Sequence, residues 1–389
     1  MARALMIAYT TYFHDGRVKR HAEALALRGD HIDVICLGSE LTGEANGVNV
    51  IGLKMPRYRG ASRTAYLRSY LRFFAMASAT AARLSLAHRY DVVIVCTMPD
   101  AAVLCALGPK LLGSKVVLDV HDTMPELYQD KFGGRRGAAG ARLLMAEERA
   151  SAWLADRVLA VHDLHRERLE RAGIPRGKIK VVMNLPDPRI FTPSRNGKTH
   201  DDKFTIICHG TLTRRLGLDI AIRAVYLVRD RIPGLRLLVV GGGDYLDEAK
   251  RLALGLALDD TVVFEPPVAI ERLPAILADA DLGLVPNRAT SATHLMLPVK
   301  LLEYATLGIP VAAARLHTIS HYFSENAVRF FRPEDPSDMA GAIEELYRHP
   351  EQRAALAAAA RAIADRLNWP SQRKEYFDAI DSLIGDAPA

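Results

Sequence analysis

The sequence has little cysteine, and what it has is dispersed. Cys36, Cys96, Cys105 and Cys208 lack the close spacing of a metal site, and three of them sit in or beside apolar strand-like runs. They read as reduced core residues, with no metal expected. No apolar run approaches the roughly eighteen residues of a membrane span, and the opening "ALMIAY" is too short for a signal-peptide core. The expectation is a cytoplasmic protein opening on a strand. No fixed-period repeat is present, which excludes solenoids and propellers. A basic stripe interleaved with aromatics is also missing, as is any known nucleic-acid module, so no nucleic acid partner is expected. The net charge of +6 still favours anionic partners such as nucleotides or an acidic membrane surface. The spacing G-x-G-x-x-G fails at Gly241, Gly242 and Gly243 because Leu246 takes the last position, which disfavours a nicotinamide cofactor.

What is present is a long alternation. At 389 residues the chain exceeds one ordinary core, so two domains are expected. The runs "ALMIAY", "IDVICL", "VNVIGL", "DVVIVC", "KVVLDV", "DRVLAV" and "KIKVVMN" alternate with segments of helical periodicity. After a stretch rich in Pro, Asn and charge at residues 187–203, the pattern restarts with "FTIICHG", "LRLLVVGGG", "TVVFEPP", "LGLVPN" and "IPVAAA". This is an α/β chain with two Rossmann-like, doubly wound parallel-sheet domains, 1–190 and 191–366, and a final helical segment 367–389. Ligands in such sheets sit outside the carboxyl ends of the strands, which sorts the motifs.

In "LPVKLLEYATLGIPV", Pro298 suits the first turn of a helix carrying Lys300 and Glu303. The helix N-terminus and the lysine together suit a diphosphate, and Glu303 suits a pair of sugar hydroxyls. The plainer alternative is a solvated lysine and glutamate. In "CHGTLTRRLGLDIAIRA", Gly210 and Thr211 form a small-residue turn, and Arg214 and Arg215 lie at the ligand edge, Arg215 being the favoured phosphate ligand. Gly242 is read as letting the backbone pass close to a nucleotide. In the first half His121 and Asp122 directly follow a strand. His121 suits a substrate hydroxyl, and Asp122 suits the imidazole or an acceptor hydroxyl, against a structural histidine as the alternative. Asp15 and Arg17 open the first helix, Asp15 either as its cap or, with Arg17, as an acceptor contact. "DAD", Asp279 to Asp281, spells a metal-binding Asp-x-Asp, but it precedes the strand "LGLV" and so lies at the wrong edge of the sheet.

Nearly the whole chain resembles the retaining GT-B glycosyltransferases of family 4 (group 1), through "DGRVKRHAEALALRGDHIDVICLG", "VVLDVHD", "HGTLTRRLGLDIAIRAV" and above all "LPVKLLEYATLGIPV". The last is similar to the subgroup motif P-x-K-x-x-E-Y. The resemblance implies two domains facing a cleft, an N-terminal acceptor domain, a C-terminal nucleotide-sugar domain and a terminal helix returning to the first. It implies metal-independent transfer, with retention, from a nucleoside diphosphate sugar to an acceptor hydroxyl, with Glu303 on the ribose and His121 near the reacting centre. His121, Glu303 and Lys300 are then the catalytic candidates; Gly210, Thr211, Arg214, Arg215, Gly242, Pro298, Lys300 and Glu303 bind donor; Asp15, Arg17 and Asp122 bind acceptor. The sequence departs from the pattern at Leu295, where the family carries its first glutamate, and at Thr211 and Leu216, where it carries Arg and Lys. A sugar-nucleotide epimerase, or an idle nucleotide-sugar binder, are the alternatives. The arginine-rich helical stretch from Arg57, with Tyr58, Tyr66, Tyr70, Phe73 and Phe74 as exposed aromatics, suits either peripheral association with an anionic membrane bearing a lipid-linked acceptor or an ordinary domain helix.

Overall fold

All seven apolar runs of the first half become strands: β1 Arg3–Ala8, β2 His31–Leu37, β4 Val48–Leu53, β5 Val92–Cys96, β6 Lys115–Asp119, β7 Arg157–Ala160 and β8 Ile179–Val181. The computed structural model describes residues 1–38, 40, 42–56, 58, 63–192 and 203–385. One further strand, β3 Gly43–Ala45, was not read from the sequence, although its signal is there. Ala45 pairs with Val48 across Asn46 and Gly47, both at positive φ, which makes the two-residue Asn-Gly hairpin. The sheet order is β3-β4-β2-β1-β5-β6-β7-β8, parallel except for the β3–β4 hairpin. Every residue of β5 is buried, as expected of a strand covered on both faces by helices.

The second half forms β9 Phe204–Thr211, β10 Leu235–Gly242, β11 Val262–Glu265, β12 Leu282–Val285, β13 Val311–Ala314 and β14 Arg329–Phe331, in the order β11-β10-β9-β12-β13-β14. Only β14 was not anticipated. Counted within each sheet, both halves run outward from their first strand in both directions. The order therefore reverses between β1 and β5 in the first sheet and between β9 and β12 in the second. Those two reversal points are where ligands of such sheets bind.

Two compact units result, Met1–Asn184 with Pro370–Ala389, and Leu185–Trp369. The boundary thus precedes the one read at 190; residues 193–202 of the stretch assigned to it lie outside the described residues. The final helix, Trp369–Ile384, is held on the first unit by Arg28, whose guanidinium pairs with Asp381 at 2.8 Å and lies 4.4 Å over the Phe377 ring.

The helix Arg63–Ala87 corrects one expectation. Three of its aromatics face inward: Phe73 is fully buried 5.1 Å from Tyr9, and Tyr70 and Phe74 pack against the same core, while Tyr66 is half-buried between Tyr58 and Tyr70. The exposed side is instead Leu67, Arg68, Leu71 and Arg72, because the 3.6-residue period places these together and away from Phe73. Arg57 and residues 59–62 lie outside the described residues. Among the described residues no helix is long and apolar enough to cross a membrane.

Candidate functional site

In the second unit, β9 ends in His209, Gly210 and Thr211, the last two exposed, and β12 is followed by Pro286 and Asn287. The helix Val299–Leu307 starts after Pro298, buried at φ −65°, the value its ring imposes and a helix start requires. Helix geometry leaves the first N–H groups without intrahelical acceptors. Lys300, in this first turn, lies over Gly210: its Cε is 3.9 Å from where a Cβ on Gly210 would stand. No carboxylate among the described residues pairs with Lys300. Arg215 is similarly uncommitted, its Nη1 reaching only Thr213 Oγ1 at 3.4 Å and its buried Nε having no partner. Arg214 points elsewhere, pairing with Glu248 at 2.9 Å in solvent.

Glu303, one turn beyond the helix start, is only 7% exposed. Its Oε2 lies 2.7 Å from His209 Nε2, and His209 Nδ1 lies 2.9 Å from the Tyr304 hydroxyl. That hydroxyl also lies 3.2 Å from the Ile207 carbonyl, which only accepts, so Tyr304 ties the imidazole to the backbone of β9. Burial pushes the Tyr304 phenol well above its ordinary range and keeps it a donor. His209 thus fixes Glu303 through one oxygen and leaves Oε1 for a ligand. Neither His209 nor Asn287 was read as functional from the sequence. Asn287 is fully buried at the β12 end with neither amide atom partnered. Both could have been found by asking which residues end the two strands flanking the reversal point.

Gly242 ends β10 and is half-buried. The glycines beside it serve the chain's own packing: a Cβ on Gly241 would stand 2.0 Å from the Gly210 carbonyl oxygen, and one on Gly243 2.1 Å from that of Leu212. A Cβ on Gly242 would meet the Pro267 ring at 3.1 Å, so this turn is shaped by β10 lying against β9 and the loops that follow them. Asp281 lies at the opposite edge, its carboxylate accepting the Thr205 N–H at 2.8 Å where β9 begins.

In the first unit the pieces assemble around a residue the sequence reading passed over. Asp119, the last residue of β6, has no exposure. Its Oδ1 is bonded to the Arg17 guanidinium, and its Oδ2 lies 3.1 Å from His121 Nε2 and 3.4 Å from His21 Nδ1. Asp119 and His121, two residues apart, meet in this contact, whereas among the described residues Asp122 makes no hydrogen bond or ion pair with an imidazole. The Asp122 assignment to the histidine is therefore corrected to Asp119. Arg17, at 5% exposure and bound to Asp119, is its buried counter-charge, with Nε and Nη1 left without partners. Asp15 takes the capping role, accepting the Val18 N–H at 3.1 Å.

The loop after β6 is tied down as well. The His121 N–H donates to Thr97 Oγ1 at 3.0 Å, and the Thr97 N–H to the Asp119 carbonyl at 3.0 Å. Burial alone would raise the Asp119 carboxyl, but Arg17 and then the two histidines overturn that and hold it well below the usual carboxylate range. Burial lowers His21 to about 4 in spite of Asp119, so the ring is neutral. His21 stacks on Tyr376 of the terminal helix at 4.5 Å. Cys96, Asp119 and His121 bring a thiol, a carboxylate and a ring nitrogen within 4.8 Å of one another. The arrangement suits a cation poorly, because Arg17 already neutralises the carboxylate, and burial and Asp119 push the Cys96 thiol well up and keep it protonated.

The family described as "Glycosyl transferase 4-like domain" matches residues 16–184, and that described as "Glycosyl transferases group 1" matches residues 203–349. The chain is 31% identical over 188 residues to a GDP-mannose-dependent alpha-(1-6)-phosphatidylinositol monomannoside mannosyltransferase of Mycolicibacterium smegmatis, covering 47% of this chain and 49% of that one. It is 26% identical over 276 residues to a D-inositol 3-phosphate glycosyltransferase of Paenarthrobacter aurescens, covering 67% and 63%. The chain spans about half the length of the first curated relatives it matches. Among solved structures, the sucrose-phosphate synthase of Thermosynechococcus elongatus superposes with a TM-score of 0.79 at 18% identity, over 99% of this chain and 100% of that one. Anabaena HepE in complex with UDP and glucose superposes at 0.72 and 17% identity, over 98% and 100%. These likenesses establish the GT-B fold, and with the two matched domains the chain belongs to the group 1, family 4-like glycosyltransferases.

Proposed function

We propose that the protein is a metal-independent, retaining glycosyltransferase that moves a sugar from a nucleoside diphosphate sugar to an acceptor hydroxyl. The observation that carries this reading is the pair of uncommitted cations, Lys300 and Arg215, at the strand reversal of the second sheet beside the free start of a helix. A diphosphate supplies the negative charge this arrangement lacks, and the same donors stabilise the charge that grows on it as the glycosidic bond breaks. Glu303, held by His209, accepts from ribose hydroxyls. His121, in the first unit, binds a substrate hydroxyl. The diphosphate itself takes the acceptor proton.

The names of the relatives favour transfer over epimerisation or idle binding, and they point to an inositol- or sugar-bearing acceptor, lipid-linked in the first of them. The exposed Leu67, Arg68, Leu71 and Arg72 suit weak attachment to an anionic bilayer, where such an acceptor resides. The test is transfer from a panel of UDP-, GDP-, dTDP- and ADP-sugars to inositol phosphate and phosphoinositide acceptors in EDTA, with the anomeric configuration of the product read by NMR. An α-linked product from an α-linked donor with EDTA present is the expected outcome. Inversion, or an absolute need for a divalent cation, contradicts the proposal.

A further inference from the structure

Asp119 gives His121 more than a place. We infer that, whenever the His121 ring carries a single proton, Asp119 fixes that proton on Nε2 and leaves the lone pair on Nδ1, so that the substrate group meeting this form of the ring is a hydroxyl and not a phosphate oxygen. The argument is one of donors and acceptors, and it rests on the reading above only in taking His121 to face substrate. An ionised carboxylate only accepts. Oδ1 is taken by Arg17, which only donates; Oδ2 faces His121 Nε2 at 3.1 Å, so Nε2 must carry the hydrogen. The buried guanidinium keeps the carboxylate ionised, and His21 and the Thr97 bridge on either side hold the geometry. Nδ1 has no hydrogen-bond partner among the described residues, and the His121 side chain keeps 16% exposure. A lone pair there accepts from a sugar or acceptor hydroxyl and repels the oxygens of a phosphate. Asp119 is accordingly a positioning residue, and His121 discriminates by hydrogen-bond polarity.

The experiment uses the full chain labelled with ¹⁵N-histidine, the His121 ring signals being identified by their loss in His121→Gln. The wild type is expected to show the Nε2–H tautomer at a pH where the ring is neutral; a dominant Nδ1–H tautomer overturns the inference. In Asp119→Asn the amide oxygen must face Arg17, which has nothing but donors, so the amide NH₂ faces Nε2 and the ring is expected to switch to Nδ1–H. An unchanged tautomer in the folded variant overturns the inference equally. Should Asp119→Asn fail to fold, the wild-type spectrum alone decides. The readout needs no substrate: a protein with the expected tautomer and no transfer activity contradicts the transferase reading and leaves this assignment standing.

Discussion

The two sheets reverse their strand order in the same way, yet the charges at the two reversal points are arranged oppositely. In the first unit a buried carboxylate, Asp119, is surrounded by Arg17, His21 and His121, and its charge is satisfied from within the protein. In the second unit Lys300 lies over Gly210 and Arg215 keeps its buried Nε without a partner, and among the described residues neither pairs with a carboxylate. A site complete in charge holds side chains in place, whereas a site left incomplete calls for a ligand of the missing sign. The difference separates an orienting site from an anion-binding one on a shared architecture.

That comparison breaks most visibly through stability. Asp119→Ala leaves a buried guanidinium unpaired and should cost about 3–5 kcal/mol, read as a lower urea midpoint. Lys300→Ala removes no partner and should leave the midpoint nearly unchanged. Next is pH. Burial lowers the folded-state value of His21 from 6.5 to about 4, so between these pH values the unfolded chain binds a proton that the native one refuses. Its stabilising contribution is complete above 6.5 and is lost as pH falls towards 4, roughly 3 kcal/mol in all. Stability measured across that window should therefore fall with acid, and His21→Phe, which retains a ring against Tyr376, should flatten the slope by up to one proton. His165, also held well below 6.5 by burial, adds a slope of the same sign that His21→Phe leaves in place.

Smaller effects sharpen the second site. Arg215→Ala removes a charged hydrogen-bond donor from the diphosphate and should weaken nucleoside diphosphate binding by about 1.5–3 kcal/mol, or roughly 10- to 150-fold, with nucleoside binding little changed. Arg214→Ala, which disrupts an exposed pair with Glu248 and a contact over the Tyr245 ring, should change either affinity by less than about 1 kcal/mol. Titration calorimetry on both variants separates the two arginines, and equal losses contradict the distinction.

Much of this was legible in the residue order, and the rest was hidden for identifiable reasons. Fully buried parallel strands announce themselves as apolar runs, so β1 and β5 needed no structure to be found. The hairpin at Asn46-Gly47 was equally legible, but three residues of weak strand character, Gly43 to Ala45, masked it. Lys300 could be placed because Pro298 marks the start of its helix, and Arg215 because it lies in the short loop after β9. The partner of His121 could not, since Asp119 ends an apolar run and looks like part of a strand, and only the fold brings Arg17 to it from across the chain. His209 was hidden likewise: it contacts Glu303 only because β9 and the helix Val299–Leu307 meet at the reversal point. The inward turn of Phe73 and Phe74 depended on which face of a long amphipathic helix met the sheet.

The central claim is that the second unit binds a diphosphate through its own cations. The most direct measurement is calorimetric titration of UDP and GDP, with uridine and guanosine as controls, into wild type and Lys300→Ala in the presence of EDTA. The account predicts that one diphosphate binds without a divalent cation, and that the substitution weakens it by about tenfold or more while the matching nucleoside is unaffected. Equal losses for diphosphate and nucleoside, or binding that appears only when a divalent cation is added, would contradict it.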